Sequence, residues 1–364
     1  MIHIAIGTKA QFIKMAPIMH ELKRRSVIFN LIDLGQHSLI TNNLRKEFEI
    51  KMPDICLSAG TNISHLFRGI MWTMQLITKG FDTGWVNREV FLDNKGICLI
   101  HGDTASTLLA LYFAKRVKLK VAHIEAGLRS YSYTEPFPEE LVRVIAMSLS
   151  DVLFVPSSWA FNNLRKMGLD KKAILIDGNT SYESTLYSLN KRVELNLDFD
   201  KFSVVTIHRM ENIFVKRRLK FVIDLLAKIS NKIPVVFVQH PPTINQINKF
   251  RFWDDLRKIR NIRFFKILSH AHFVHLLDKC SFIVTDGGSI QEESYYLNKP
   301  CLLLRHCTER REGLGENVIL SKFCLPEIDY FLGHYSEFRR KEPLHFNKPS
   351  AKIVDYLIEN NYAS

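Results

Sequence analysis

Ile97-Cys98-Leu99-Ile100-His101-Gly102-Asp103-Thr104 is an apolar run that stops on a glycine and a carboxylate. A helix length further on the pattern returns, with Leu119–Ile124 followed by Glu125-Ala126-Gly127. Short apolar runs of this kind suit strands buried on both faces, and the segment between them is long enough for a helix. The pair therefore reads as one βαβ unit of a parallel sheet. On either side of it, Ile2–Ile6, Phe29–Leu34 and Val152–Val155 continue the alternation. After Gly178-Asn179-Thr180 and a polar stretch at 196–201 it begins again with Phe202–Ile207, Pro234–Val238, Ile262–Ile267, Phe282–Thr285 and Pro300–Leu304. The expected fold class is α/β, with two parallel-sheet domains at residues 1–180 and 181–345 and the join between Asn179 and Lys201. Residues 346–364, with the helical stretch Ala351–Asn360, read as a C-terminal helix that packs on either domain, a return to the first being the expected one.

The 364 residues, 46% of them hydrophobic, are enough for two globular cores and too apolar for a disordered tail. A net charge of +13 suits a polyanion, an acidic membrane surface or a phosphate-bearing small molecule, and charge alone does not choose among them. No apolar run approaches the ~20 residues of a membrane span. Met1–Gly7 lacks the basic region, long apolar core and cleavage site of a secretory signal, so a cytoplasmic protein without membrane insertion is expected. Six scattered cysteines with no Cys-x-x-Cys pair read as reduced, buried thiols, not as a structural metal site. The basic segments at 217–220 and 257–263 carry apolar residues at helical or strand spacing and read as solvated faces. Without a helix-turn-helix, zinc-ligand spacing or aromatic RNA motif, no nucleic-acid partner is expected.

In open parallel sheets the loops leaving the carboxyl ends of strands line the ligand crevice, and the chain's unusual residues stand there. Gly7-Thr8-Lys9 and Lys14 offer a glycine turn with cations for a phosphate, or equally a strand-to-helix turn with solvated lysines. Asp103 alone is most simply a helix N-cap, but Glu125 occupies the corresponding place in the next unit, so two neighbouring strands would aim acids at one crevice. Glu139, in Pro136-Phe137-Pro138-Glu139-Glu140, sits where proline and acids ordinarily begin a helix. Converging, the three acids would raise at least one pKa and serve both acid and base roles.

In the second half, His208 and Arg209 follow a strand and suit a diphosphate, while His240 occupies a similar strand end with less support. Asp286-Gly287-Gly288-Ser289 places a glycine pair and a serine at the start of a helix, where free N–H groups and the positive helix end favour phosphate. A glycine turn capped by Ser289 explains those residues in isolation. Glu293, one turn into the helix, adds an acceptor for ribose hydroxyls, and together they point to a nucleotide diphosphate. Arg305, Thr308, Glu309 and Arg310 follow Cys301–Leu304 as candidate sugar or phosphate contacts.

Taken in order, Gly-Thr-Lys-x4-Lys-Met-Ala-Pro, His-Gly-Asp-Thr, His-Ile-Glu-Ala-Gly-Leu-Arg-Ser, Pro-Glu-Glu, Ile-His-Arg-x-Glu-Asn, Gln-Glu-Glu and Thr-Glu-Arg resemble the bacterial UDP-N-acetylglucosamine 2-epimerase family from Met1 to about Leu320. The resemblance implies two Rossmann-like domains facing across a cleft, the GT-B arrangement, a UDP-sugar substrate, no cofactor and a homodimer. It implies interconversion of UDP-GlcNAc and UDP-ManNAc, a supply of cell-surface polysaccharide precursors, by anti elimination of UDP to a 2-acetamidoglucal and re-addition. By position it makes Asp103, Glu125 and Glu139 the catalytic carboxylates and puts His208 and Lys9 near the diphosphate, with Lys14 matching the family's lysine and Arg143 following the Pro-Glu-Glu motif. It makes Gly287, Gly288 and Ser289 the phosphate cradle and Glu293 the ribose carboxylate. Gln36, His37, Arg68 and His240 fall at a candidate activator site of non-hydrolysing members.

The chain also departs from the family pattern. Lys9-Ala10-Gln11 stands in place of Arg-Pro-Glu, and Leu39 in place of a glutamine. Gln11-Phe12-Ile13-Lys14 is similar to relatives acting on UDP-2,3-diacetamido-glucuronic acid, and 311–318 resembles hydrolysing relatives that release the free 2-epimeric sugar and UDP. A glycosyltransferase of the same architecture explains Glu293 but leaves the three acids without a task.

Overall fold

The computed structural model of the protein describes residues 1–35, 38–57, 66–133, 138–342, 344 and 348–362, and of 38–41, 66–70 and 72 the backbone alone. The chain divides into two compact units, Met1–Ser184 with His345–Ser364, and Thr185–Leu344. Among the described residues no helix is long and apolar enough to cross a membrane.

The first unit is built on β1 (Ile2–Ile6), β2 (Phe29–Asp33), β3 (Ile55–Cys56), β4 (Ile97–His101), β5 (Lys120–Ile124), β6 (Val152–Val155) and β7 (Ala173–Leu175). All pairings are parallel, in the order β3-β2-β1-β4-β5-β6-β7. Every residue of β1, β2 and β4 is buried, as expected of central strands covered by helices on both faces. Strand order reverses between β1 and β4, the position at which open α/β sheets present their ligand crevice. The register pairs His101 with Ile124, so residues leaving β4 and β5 emerge side by side.

The second unit repeats the plan with β8 (Ser203–Thr206), β9 (Val235–Val238), β10 (Ile262–Phe265), β11 (Phe282–Thr285), β12 (Cys301–Leu303) and β13 (Val318–Leu320), all parallel, in the order β10-β9-β8-β11-β12-β13. Its reversal lies between β8 and β11, where Thr206 pairs with Thr285. The apolar sides of its strands meet Leu219, Val222, Leu226 and Phe331 from the covering helices.

The helix Thr180–Leu189 contains the boundary between the units. The last helix, Pro349–Glu359, belongs to the first unit. Glu183 caps it, accepting from Ser350 N at 2.9 Å and Ser350 Oγ at 2.6 Å, and Arg25 pairs with Asp355. Such a cap satisfies one of the helix's otherwise unbonded N–H groups. The expectation of six buried thiols holds for Cys98, Cys280 and Cys301 only. Cys56, on the short strand β3, and Cys324, at a helix N-cap, are exposed, and Cys307 is half-buried.

Candidate active site

The turn after β1 is held by Gln11. Thr8 caps the helix Lys9–Arg24, its hydroxyl accepting from Gln11 N at 3.3 Å. The Gln11 carbonyl accepts from Gly7 N, Thr8 N and Ser106 Oγ, and its amide donates to His101 O at 2.8 Å and to Thr107 Oγ1 at 3.0 Å. A Cβ on Gly7 would lie 2.4 Å from Ser106 Cβ, so glycine is required for the two strand ends to approach. Gln11 thus ties β1 to β4 at the switch point.

One turn further along that helix, Lys14 Nζ stands 2.7 Å from Glu125 Oε1. His101, the last residue of β4, places Nε2 3.0 Å from Glu125 Oε2. Glu125 has φ +67, a left-handed conformation that costs a non-glycine residue about 1 kcal/mol or more and persists where surroundings enforce it. Its side chain is met by a buried ammonium and a buried imidazole. Burial pushes the His101 pKa down, against the pull of the neighbouring Glu125.

Asp103, two residues past β4, is partly exposed and pairs with Arg143 of the helix Glu139–Leu149. Arg143 is buried and also donates to Glu140 Oε2 at 3.1 Å. Glu140 is fully buried, bonded by Arg129 and by Ser130 N at 3.0 Å. Burial alone would raise its pKa, but these donors outweigh it and hold the carboxyl below its usual range. Glu139, the first residue of the helix, is half-buried, whereas its neighbour serves the internal ion network. The acids thus differ in exposure and partners, and Asp103 and Glu125 both act electrostatically on His101.

In the second unit, Asp286 follows β11 fully buried and organises the strand ends. Its carboxylate accepts from the backbone N–H of His208 at 3.0 Å and Arg209 at 3.0 Å and from Asn212 Nδ2 at 3.0 Å. The His208 ring lies 4.6 Å from that of His240, which follows β9. A Cβ on Gly287 would meet His208 Cε1 at 2.9 Å, and one on Gly288 would meet Arg310 Nε at 2.8 Å. The two glycines admit these groups to the start of the helix Gly288–Tyr296, which has no side-chain cap. Ser289 is half-buried within the first turn. N–H groups at such a terminus are donors for an anion.

Glu293, on the same helix, receives His270 Nε2 at 3.2 Å on Oε1. Its Oε2 is buried and has no hydrogen-bond partner among the described residues. Arg305 donates to Glu309 Oε2 at 2.9 Å. Arg310 pairs with Glu292 at 2.7 Å, and Thr308 donates to Gln291 Oε1 at 2.9 Å. These four candidates from the loop after β12 are therefore engaged with the helix Gly288–Tyr296 or with one another.

The family model described as UDP-N-acetylglucosamine 2-epimerase matches residues 20–340. The chain belongs to the UDP-N-acetylglucosamine 2-epimerase family. A UDP-N-acetylglucosamine 2-epimerase of Methanocaldococcus jannaschii is 30% identical over 99% of both chains. Among solved structures, the M. jannaschii UDP-GlcNAc 2-epimerase in complex with UDP-GlcNAc and UDP superposes with a TM-score of 0.84 at 26% identity, covering 98% of this chain and 99% of that one. The Neisseria meningitidis UDP-GlcNAc 2-epimerase bound to UDP-GlcNAc gives 0.81 at 27% identity, covering 99% of this chain and 100% of that one. The two-unit α/β fold expected from the strand pattern is thus that of the epimerase family.

Within this family member, several organising residues are not singled out by the sequence reading. His101 ends a strand, Glu140 stands beside the expected Glu139, Asp286 precedes the glycine pair, and His270 and Gln291 lie on helices. Each is polar and buried, and a buried polar residue inside an apolar pattern is the signal that points to such partners. Of the candidate activator residues, Gln36 and His37 lie outside the described residues, as do Pro136, Phe137 and the side chains of Leu39 and Arg68. Lys9, the first helical residue, is half-buried.

Proposed function

We propose that this epimerase inverts C2 of UDP-GlcNAc, the sugar nucleotide carried by the M. jannaschii and N. meningitidis structures. The observation that carries the reading is the set of acids at the carboxyl ends of β4 and β5, one clamped by Lys14 and His101 and the other paired with Arg143. In the first step a carboxylate of this set removes the C2 proton, that electron pair forms the C1=C2 bond, and the C1–O bond to UDP breaks with its electrons passing to the diphosphate. In the second, a carboxylic acid returns a proton to the opposite face of C2 and a UDP oxygen closes on C1. Atoms and charge balance, and the net change is inversion at C2. Asp103, Glu125 and Glu139 are the proposed proton carriers. The uncapped helix start at Gly287, Gly288 and Ser289, with His208, Arg209 and the cations Arg305 and Arg310 near it, is proposed for the diphosphate, and Glu293 for the ribose. The reading includes a homodimer.

Purified protein incubated with UDP-GlcNAc alone tests this. UDP-ManNAc should accumulate to an equilibrium mixture with no acceptor present and with free UDP remaining substoichiometric. Free N-acetylmannosamine with one equivalent of UDP would mean that water, not UDP, captures the glucal, and no conversion of UDP-GlcNAc would redirect the reading to the 2,3-diacetamido uronate analogue.

A further inference from the structure

Ser188, His270 and Glu293 form a buried chain in the second unit. Ser188 Oγ is 2.7 Å from His270 Nδ1, and His270 Nε2 is 3.2 Å from Glu293 Oε1. Relative exposures are 1%, 2% and 7%, so no bulk water competes for these bonds. A carboxylate only accepts, which puts the ring hydrogen on Nε2. In the neutral ring Nδ1 is then a lone pair, and the serine hydroxyl donates to it. The serine therefore selects the tautomer that the carboxylate needs. With Oε1 held in this way, the rotation of the carboxyl group is fixed and Oε2, without a partner among the described residues, is left as a pre-aimed acceptor. Leaving a buried acceptor unmade costs stability, an expense that a ligand hydroxyl offsets.

From this geometry we infer that His270, set by Ser188, is a positioning residue that fixes the Glu293 carboxylate for the hydroxyl groups of the nucleoside sugar. The inference rests on the proposed reading of Glu293 as the ribose carboxylate. Neither Ser188 nor His270 need touch the ligand. Their contribution is orientation, which is expressed only against a ligand that carries the hydroxyls.

Calorimetric titration of UDP and of its 2′,3′-dideoxy analogue separates the cases. Wild type should prefer UDP, and Glu293→Gln should lose that preference. His270→Phe, which keeps a planar ring, should weaken UDP roughly tenfold, as expected for one hydrogen bond to a charged group, and leave the dideoxy analogue unchanged. Ser188→Ala should show a smaller loss of the same kind, and His270→Gln should recover part of it by restoring a donor. Full preference for UDP in folded Ser188→Ala and His270→Phe, or equal weakening of both ligands, overturns the positioning role. If Glu293→Gln abolishes the preference while the other variants retain it, the inference alone fails. If wild type shows no preference at all, the ribose reading fails and the inference with it. Should His270→Phe not fold, Ser188→Ala carries the test, because it removes only one buried oxygen.

Discussion

Lys14 Nζ lies 2.7 Å from Glu125 Oε1 with both side chains 3% exposed. In so dry a setting neither charge is tolerable without the other. The lysine therefore places Glu125, and His101 Nε2 lies 3.0 Å from its second oxygen. A carboxylate proposed to exchange a proton with carbon benefits from being immobile before substrate arrives.

Removing the ammonium should be felt in both stability and rate. Lys14→Met is expected to cost about 3 kcal/mol, the low end for breaking a buried pair because His101 remains as a second partner. Urea unfolding measures the first effect, and kcat should fall in the protein that remains folded. Unchanged stability would mean the pair is open to water.

Gln11 gives a prediction that runs against the family pattern. Glutamate, which the family resemblance implies at position 11, would set a carboxylate oxygen against His101 O, where the Gln11 amide now donates at 2.8 Å. Gln11→Glu should destabilise by about 1–3 kcal/mol, the cost of a buried acceptor left unmet. A melting temperature equal to that of wild type would contradict the donor assignment.

The adjacent acids of Pro-Glu-Glu should separate by their effects. Glu140 is fully buried with Arg129 and Arg143, so Glu140→Gln should lower stability by about 3 kcal/mol. Glu139→Gln should unfold like wild type yet lose about a hundredfold in kcat, as for removal of a general acid or base. The reverse assignment of the two losses would exchange their roles.

Acid sensitivity follows from His123, whose ring is fully buried, donates to Gly102 O at 2.8 Å and has its pKa lowered by that burial to about 4. Its unfolded pKa is about 6.5. Between these values the unfolded chain binds the proton and the folded protein does not, so stability is whole above pH 6.5 and is lost as pH falls toward 4. The loss attributable to this group is about 3 kcal/mol. Urea midpoints across that window should fall less steeply in His123→Gln, and parallel curves would contradict the shift.

How much of this was readable before the fold was known depends on what signals leave in one dimension. Ile2–Ile6, Ile97–His101, Val152–Val155 and Phe282–Thr285 are strands with the bounds expected from their apolar runs. The edge strands β3, β7 and β13 were not singled out, because two or three residues, several of them partly exposed, make no run to read. Asp103, Glu125 and the glycine pair stood out because they interrupt apolar stretches at strand ends. The buried polar residues around them did not, because His101 meets Glu125, Asp286 meets the backbone of His208 and Arg209, and His270 meets Glu293 only when strands from separate stretches of chain pair or a helix packs against them. Sequence spacing carries no trace of that meeting.

Proton NMR of the reaction run in deuterated water reads whether the acids after β4 and β5 carry a proton to and from C2. Deuterium should appear at C2 of the product and, with time, of recovered UDP-GlcNAc, and both should be lost in Glu125→Gln. Inversion that retains the original hydrogen at C2 would contradict that role.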